Sequence, residues 1–457
     1  MINLSLENLK TSYADGTLSV EDVINDVFDR IESYDDPAVW INLYRREDVL
    51  EQARNLSKDL PLYGVPFAIK DNIDSLGFDT TAGCPAYAFT PEKDASVVEK
   101  LKAAGALLIG RTNMDQFATG LVGVRSPHGA ARCVFDKDYI SGGSSSGSGV
   151  AVGAGLVSFS LGTDTAGSGR VPASFNNIVG VKPTKGLFSN AGVVPACKSL
   201  DCVSVFATCC ADGDFIRTIM EGVDEADPWT RQKQTAHLNL ETPTIGVLSD
   251  AEKVFYGDEG AQKIYEDAIE RAKSLGWKIK EFDYKPFREA ALLLYNGPWV
   301  NERTAAVGEF IETHQDDCDP TVRKIVVDGP KLSAVDAFNG IYKLQEYKAL
   351  CDREWLGLDA LLLPTTPTHY TVDELAEESI KYNSNLGHYT NFVNLLDYAA
   401  IAIPAGFRKG RPWGVTLIGP AFSDASLARL GDQLHQTMGE KATIGNTGFP
   451  AHGNFKK

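Results

Sequence analysis

The sequence predicts an α/β layer fold in which a sheet of buried strands is covered by helices. Three observations predict it. Helical and strand-like patterns alternate along the chain, the strand-like runs are apolar throughout, and long amphipathic stretches are available to cover them. With 43% hydrophobic and 23% charged residues over 457 positions, the composition is that of a packed globular protein. No repeat of fixed period appears, which argues against solenoids and propellers. We expect one domain over 1–457, opening with a helical segment over 1–60.

The elements follow in order. Residues 18–33, LSVEDVINDVFDRIES, carry apolar groups at helical spacing. GVPFAIK (64–70) reads as a strand, and Asp94 as the cap of a helix running through VVEKLKAA into the strand ALLIG. Further strands are expected at LVSFSLGT (156–163), TIGVLS (244–249), ALLLPT (360–365) and GVTLIG (414–419). Runs this continuously apolar suit strands buried on both faces. Helical patterns near 260–275, 332–356 and 424–438 would cover them. The polar stretch at 225–244 reads as a surface excursion or a subdomain joint.

Charge and cysteine usage narrow the function. A net charge of -17 repels phosphate backbones, so no nucleic-acid partner is expected. The eight cysteines form neither CxxC pairs nor a dense disulfide pattern, which fits reduced thiols in a cytoplasmic protein. The amino terminus lacks a basic start followed by an apolar core, and no run of 18 apolar residues occurs, so no membrane contact is expected. None of the seven histidines stands at metal-ligand spacing, and we expect neither metal nor cofactor.

The most informative segment is 141–170, SGGSSSGSGVAVGAGLVSFSLGTDTAGSGR. A flexible Gly/Ser linker would not flow directly into an apolar small-residue run and a strand. A phosphate loop is a weaker alternative still, given the lack of GxxxxGK[ST], of any lysine in the run and of GxGxxG after a strand. Small residues instead suit close approach of backbone to a small substrate, with exposed N–H groups. Thr165, Ala166, Gly167 and Ser168 would present such a row beside a nucleophile at Ser168. A serine hydroxyl needs a base, and the segment has no histidine. A lysine serves when burial depresses its pKa, and Lys70 ends an apolar strand that would carry it inward. Taken singly, Lys70 reads as a surface lysine, Ser144 as a turn serine and Ser168 as a helix cap ahead of RVPASFNN. The combination carries the argument.

These residues resemble the amidase signature family across most of the chain. GGSSSGSG, GTDTAGS and the KDN after an apolar strand stand in that family's order, with Ser168 24 residues after Ser144 and 98 after Lys70. The resemblance implies the amidase signature fold, a large mixed central sheet covered by helices on both faces, and an amide hydrolase working through a serine relay. In it Ser168 is the nucleophile, Ser144 the bridging serine in a cis peptide with Gly143, and Lys70 the terminal base. Thr165, Ala166 and Gly167 become the oxyanion hole. The family more often reads DTGGS, and Ala166 replaces a glycine here. A backbone donor tolerates that methyl group.

Several stretches are similar to allophanate hydrolases, the amidase part of urea amidolyases: DQFATGLVGVRSPHG, VVPACKSLDCVSVF, YNGPWVNER and PAFSDASLARL. This implies that Tyr295 and Arg303 hold the carboxylate of allophanate, a small anionic amide, with Gly120 and Gly143 near the substrate. A planar guanidinium suits that task. Otherwise Arg303 is a solvated helix arginine paired with Glu302 or Glu309, and Tyr295 a core aromatic. The resemblance further implies a functional link to urea carboxylase and leaves a homodimer open. Allophanate hydrolases often continue past the stretch matching DASLARLGDQLHQTM. The chain is thus expected to release ammonia and leave decarboxylation to solution or another domain. Three other readings remain: a broader small-amide or malonamide-type amidase, a tRNA-dependent amidotransferase A-type subunit, and a non-catalytic binding protein on the same scaffold.

Overall fold

The computed structural model describes residues 1–329 and 332–455. Its strands in chain order are β1 (Trp40–Leu43), β2 (Pro66–Lys70), β3 (Leu107–Thr112), β4 (Arg132–Cys133), β5 (Asp136–Ile140), β6 (Phe159–Asp164), β7 (Val179–Lys182), β8 (Cys202–Ala207), β9 (Thr244–Leu248), β10 (Lys278–Phe282), β11 (Ala360–Pro364), β12 (Tyr398–Arg408) and β13 (Arg411–Pro420). Eleven of them form one sheet in the order β1-β3-β2-β6-β8-β7-β12-β13-β11-β9-β10, while β4 and β5 pair separately. The sheet is mixed. Strand β2 runs parallel to both β3 and β6, and β9 runs parallel to β10 and β11. Between them β6, β8, β7, β12, β13 and β11 form an antiparallel middle.

The expected strands lie where the apolar runs place them, and β2, β3, β6, β8 and β11 are buried along their whole length. The first amphipathic pattern forms the helix Val20–Ser33, closed at its start by a capping box between Ser19 and Asp22. It turns Val23, Ile24, Val27, Phe28 and Ile31 into the core, each worth about 1.5–3 kcal/mol when fully buried. Helices Glu259–Ser274, Ala334–Glu354 and Asp424–Gln436 match the three later patterns. One cap differs from expectation. The helix Ser96–Ala103 starts after Ala95, and Asp94 instead accepts the Leu76 N–H and pairs with Lys102.

The glycine- and serine-rich run folds into the buried helix Ser146–Gly153. Small side chains are required there. A Cβ on Gly147 would lie 2.3 Å from the Val39 carbonyl oxygen, and one on Gly149 2.8 Å from Pro172. Residues near 225–244 form no helix or strand before β9 and lie against the body through specific bonds. Arg231 pairs with Asp397 and covers the Phe422 ring, and Ala236 N–H donates to the Phe422 carbonyl. All eight cysteines are buried free thiols. Among the described residues, no helix is long and apolar enough to cross a membrane.

Candidate active site

Three segments distant in sequence meet at the carboxyl end of β2. Lys70 is its last residue, the loop ahead of helix Ser146–Gly153 carries Ser144, and the turn after β6 carries Ser168. The local chain explains the first two placements. β2 pairs with β6 through Ile69 and Leu161, which aims Lys70 into the interior beside Thr163. Ser145, at the cap of the following helix, is stitched to β6 by two bonds: its hydroxyl donates to the Thr163 carbonyl at 3.1 Å and accepts the Thr163 N–H at 3.2 Å.

Lys70 is fully buried, not a surface lysine. Its Nζ lies 2.7 Å from Ser144 Oγ and 2.7 Å from Thr163 Oγ1. Burial pulls the amine down to about 7, opposed by Asp115, Asp201 and Asp164 and assisted by Arg303. A lysine so placed is substantially neutral near physiological pH, as a base must be. The Gly143–Ser144 peptide is cis, as the resemblance implies.

Ser168 is 3% exposed, and its hydroxyl donates to the Gly120 carbonyl at 3.3 Å. Gly120 therefore lies beside Ser168, yet no bond between the hydroxyls of Ser144 and Ser168 is among those formed by the described residues. Ser168 is not a cap: the short helix Val171–Phe175 begins after Arg170. Arg170 instead grips Asp164 with two bonds, at 2.9 and 3.0 Å, in an ion pair sealed from water. Asp164 also accepts the amides of Gly167 at 2.8 Å and Gly169 at 3.1 Å. The expected oxyanion row is thus one donor shorter, because the Gly167 N–H is occupied. Thr165 is held by its side chain, which donates to Asp201 at 2.5 Å.

Arg303 lies on the helix Trp299–Thr313 and is 1% exposed. It is not a solvated helix arginine. Glu302 turns away to accept the Ser199 N–H and hydroxyl, both at 2.7 Å, which pins the helix over the 196–201 loop. Arg303 Nη1 donates to Thr119 Oγ1 at 3.1 Å and the Ala118 carbonyl at 3.4 Å, one residue from Gly120. Its Nε has no partner, and among the described residues no carboxylate forms an ion pair with it. Burial disfavours its charge, but Cys197, Tyr295 and Asp201 outweigh that and leave its pKa raised. The partly buried Tyr295 presents its ring 5.7 Å from the guanidinium carbon.

Sequence reasoning missed the acidic residues behind the site. Asp115 and Asp201 are buried, and burial raises both their pKa values. Asp115 accepts the amides of Val122, Gly123 and Arg125, and Asp201 those of Ala196 and Cys197. Gly143 owes its identity to the first: a Cβ there would lie 2.3 Å from Asp115 Oδ2. Both acids sit in stretches noted for their resemblance, DQFATG and SLDCVS, which was the available signal.

Comparison with known proteins identifies the family. The amidase family model matches residues 22–428. The chain belongs to the amidase family. This amidase is 47% identical to the urea amidolyase of Lachancea kluyveri over 87% of its own length, although it spans only 22% of that protein. A solved structure of Kluyveromyces lactis allophanate hydrolase superposes with a TM-score of 0.91 at 43% identity, covering 96% of the amidase and 74% of that chain. The glutamyl-tRNA(Gln) amidotransferase A-type subunit of an Exiguobacterium species is 33% identical over 94% of the amidase and 96% of that protein.

Proposed function

We propose that this amidase hydrolyses allophanate, releasing ammonia, with Ser168 as nucleophile and Ser144 and Lys70 as its proton relay. The observation that carries the substrate reading is Arg303, a buried guanidinium with an unpartnered Nε, on which the Asp201 charge acts but which forms no ion pair with a carboxylate among the described residues. A cation kept so dry suits a ligand that brings the negative charge. Allophanate offers a carboxylate at one end and a primary amide at the other.

In this reading Ser168 Oγ turns from the Gly120 carbonyl toward Ser144 when substrate arrives and attacks the terminal amide carbon. Its proton passes to Ser144 Oγ while the Ser144 proton passes to neutral Lys70. The backbone amides of Thr165 and Ala166, with that of Ser168 itself, receive the developing oxyanion. Lys70 then returns a proton through Ser144 to the leaving nitrogen, the C–N bond breaks, and ammonia departs. Water enters, gives its proton to the same relay, and frees N-carboxycarbamate from Ser168. Tyr295 borders the carboxylate end, and Gly120 and Gly143 leave room for the substrate.

The similarity to urea amidolyase and allophanate hydrolase supports this assignment over the amidotransferase subunit, whose match covers more of the relative's own length but at lower identity. The proposal includes a cytoplasmic location, a homodimer and a functional link to a urea carboxylase that supplies allophanate. Freshly made allophanate should release ammonia faster than any member of a panel of small amides. Preference for a malonate semiamide would assign the site to a broader amidase, and glutamine-dependent activity requiring tRNA and a second subunit would assign it to an amidotransferase.

A further inference from the structure

Behind the three relay residues the structure buries a carboxylate that the proposed chemistry does not use. Asp115 is wholly shielded from water. Its backbone N–H donates to the Ser144 carbonyl at 3.0 Å. Its side chain gathers three amides of the following loop: Oδ2 accepts from Gly123 at 3.0 Å and Val122 at 3.2 Å, and Oδ1 from Arg125 at 3.0 Å. That donor set is the one an ionised carboxylate wants, since a protonated oxygen would compete with the amides. The same oxygen lies against both site glycines, so that an added Cβ would come within 2.3 Å of it at Gly143 and 2.5 Å at Gly120. The segment is also tightly turned, with Phe117 and Ala118 at φ of 49° and 51°. One residue therefore fixes the backbone of the bridging serine and the loop whose Gly120 carbonyl receives the Ser168 hydroxyl.

We propose that Asp115 is a positioning residue for the relay, setting Ser144 and Gly120 in place and stabilising the ammonium that forms on Lys70 during each turnover. This inference rests on the relay proposed above. The chemistry demands such a group. When Lys70 takes the relayed proton, a positive charge appears in a site sealed from water, and a fixed negative charge there lowers the free energy of that state. The role parallels that of the aspartate behind a catalytic histidine. The charged groups acting on Lys70 are Asp115, Asp201 and Asp164, which favour the ammonium, and Arg303, which opposes it. Asp164 is already bound to Arg170, and Asp201 also interacts with Arg303. Asp115 heads the three in its effect on Lys70, although the Arg125 charge also acts on it.

The test is the pH dependence of Ser168 labelling by a fluorophosphonate, with kcat/KM on allophanate beside it, in Asp115→Asn. Removing the negative charge disfavours the ammonium, so the acid limb should move to lower pH by about one unit. The plateau should fall by about tenfold for each unit of lost ammonium stabilisation. Asp115→Glu, which keeps the charge, should keep the parent's limb even where the longer side chain lowers the plateau. Asp115→Ser, small and uncharged, is the second variant and should move the limb as the asparagine does. A folded uncharged variant with the parent's limb overturns the proposal. So does failure of both uncharged variants to fold, which would make Asp115 a structural carboxylate alone. Labelling that survives Lys70→Ala undiminished is a different result, because it refutes the relay and not only the part assigned to Asp115.

Discussion

Lys70 Nζ lies 2.7 Å from Ser144 Oγ, and neither side chain is reached by water. Groups coupled this closely act as a unit. Ser168→Ala should abolish turnover, while Lys70→Ala and Ser144→Ala should each lower kcat by about ten-thousand-fold or more. The double variant should be little worse than the worse single one. Rates that add in log units across the double-mutant cycle would show that the two residues do not form a relay.

The depressed lysine makes a prediction about rate. Activity should rise through a limb centred near 7, where burial has drawn the amine. A kcat/KM profile measured from pH 5 to 10 checks it, and a flat profile across that window would remove lysine as the base.

The same depression makes a prediction about stability. Between about 7 and 10.5 the native state holds Lys70 neutral while the unfolded chain holds it protonated, so this group's contribution to stability rises with pH across that window. Below about 7 the penalty is complete, on the order of 5 kcal/mol. Lys70→Met should therefore unfold at higher urea concentration than the parent at pH 7. The gain is reduced by about 1–3 kcal/mol for the donor lost to Ser144 and Thr163. The difference should shrink as pH approaches 10. A difference independent of pH would contradict a neutral buried amine.

Arg303 should govern recognition and leave the serine chemistry intact. Truncating a desolvated charge partner costs about 2–5 kcal/mol, so Arg303→Ala should lower kcat/KM for allophanate by roughly 30-fold to several thousand-fold. Neutral amides should lose far less. Arg303→Lys should recover part of the loss, because it keeps the charge without the planar fork, and Tyr295→Phe should fall between. Phosphonate labelling of Ser168 in all three should match the parent on the alkaline plateau, where Lys70 is neutral with or without the Arg303 charge. Unchanged allophanate turnover in Arg303→Ala would withdraw the substrate assignment and leave an amidase of other specificity.

Gly143→Ala should inactivate the enzyme by geometry alone. The added methyl would sit 2.3 Å from Asp115 Oδ2 and 2.5 Å from the Gly123 amide, so the loop holding Ser144 must shift. Overpacking of this kind costs about 1–3 kcal/mol, and we expect a folded protein with Ser168 labelling lost. Normal labelling would mean that Ser144 tolerates displacement.

By itself the sequence determined the α/β class and the apolar strands it singled out, because those features are written locally. An apolar run such as ALLLP is buried wherever it packs, and serines among glycines that lead into a buried helix and a strand are unusual in any context. The resemblance then supplied the order of Lys70, Ser144 and Ser168. Local pattern did not reveal β7, β8 or β12, whose place in the sheet comes from partners far along the chain, as when Val181 meets both Val205 and Ile401. Nor could it reveal that Asp94 passes over its helix for Lys102, or that Asp164 takes the Gly167 amide from the expected oxyanion row. Only the tertiary structure decided which charges are dry. Asp115 and Asp201 read in the sequence as ordinary polar residues, Arg303 was singled out only through the resemblance, and the chemistry of all three arises because distant segments exclude water around them. Burial is a property of what surrounds a side chain, and for these residues the surroundings are assembled only by the fold.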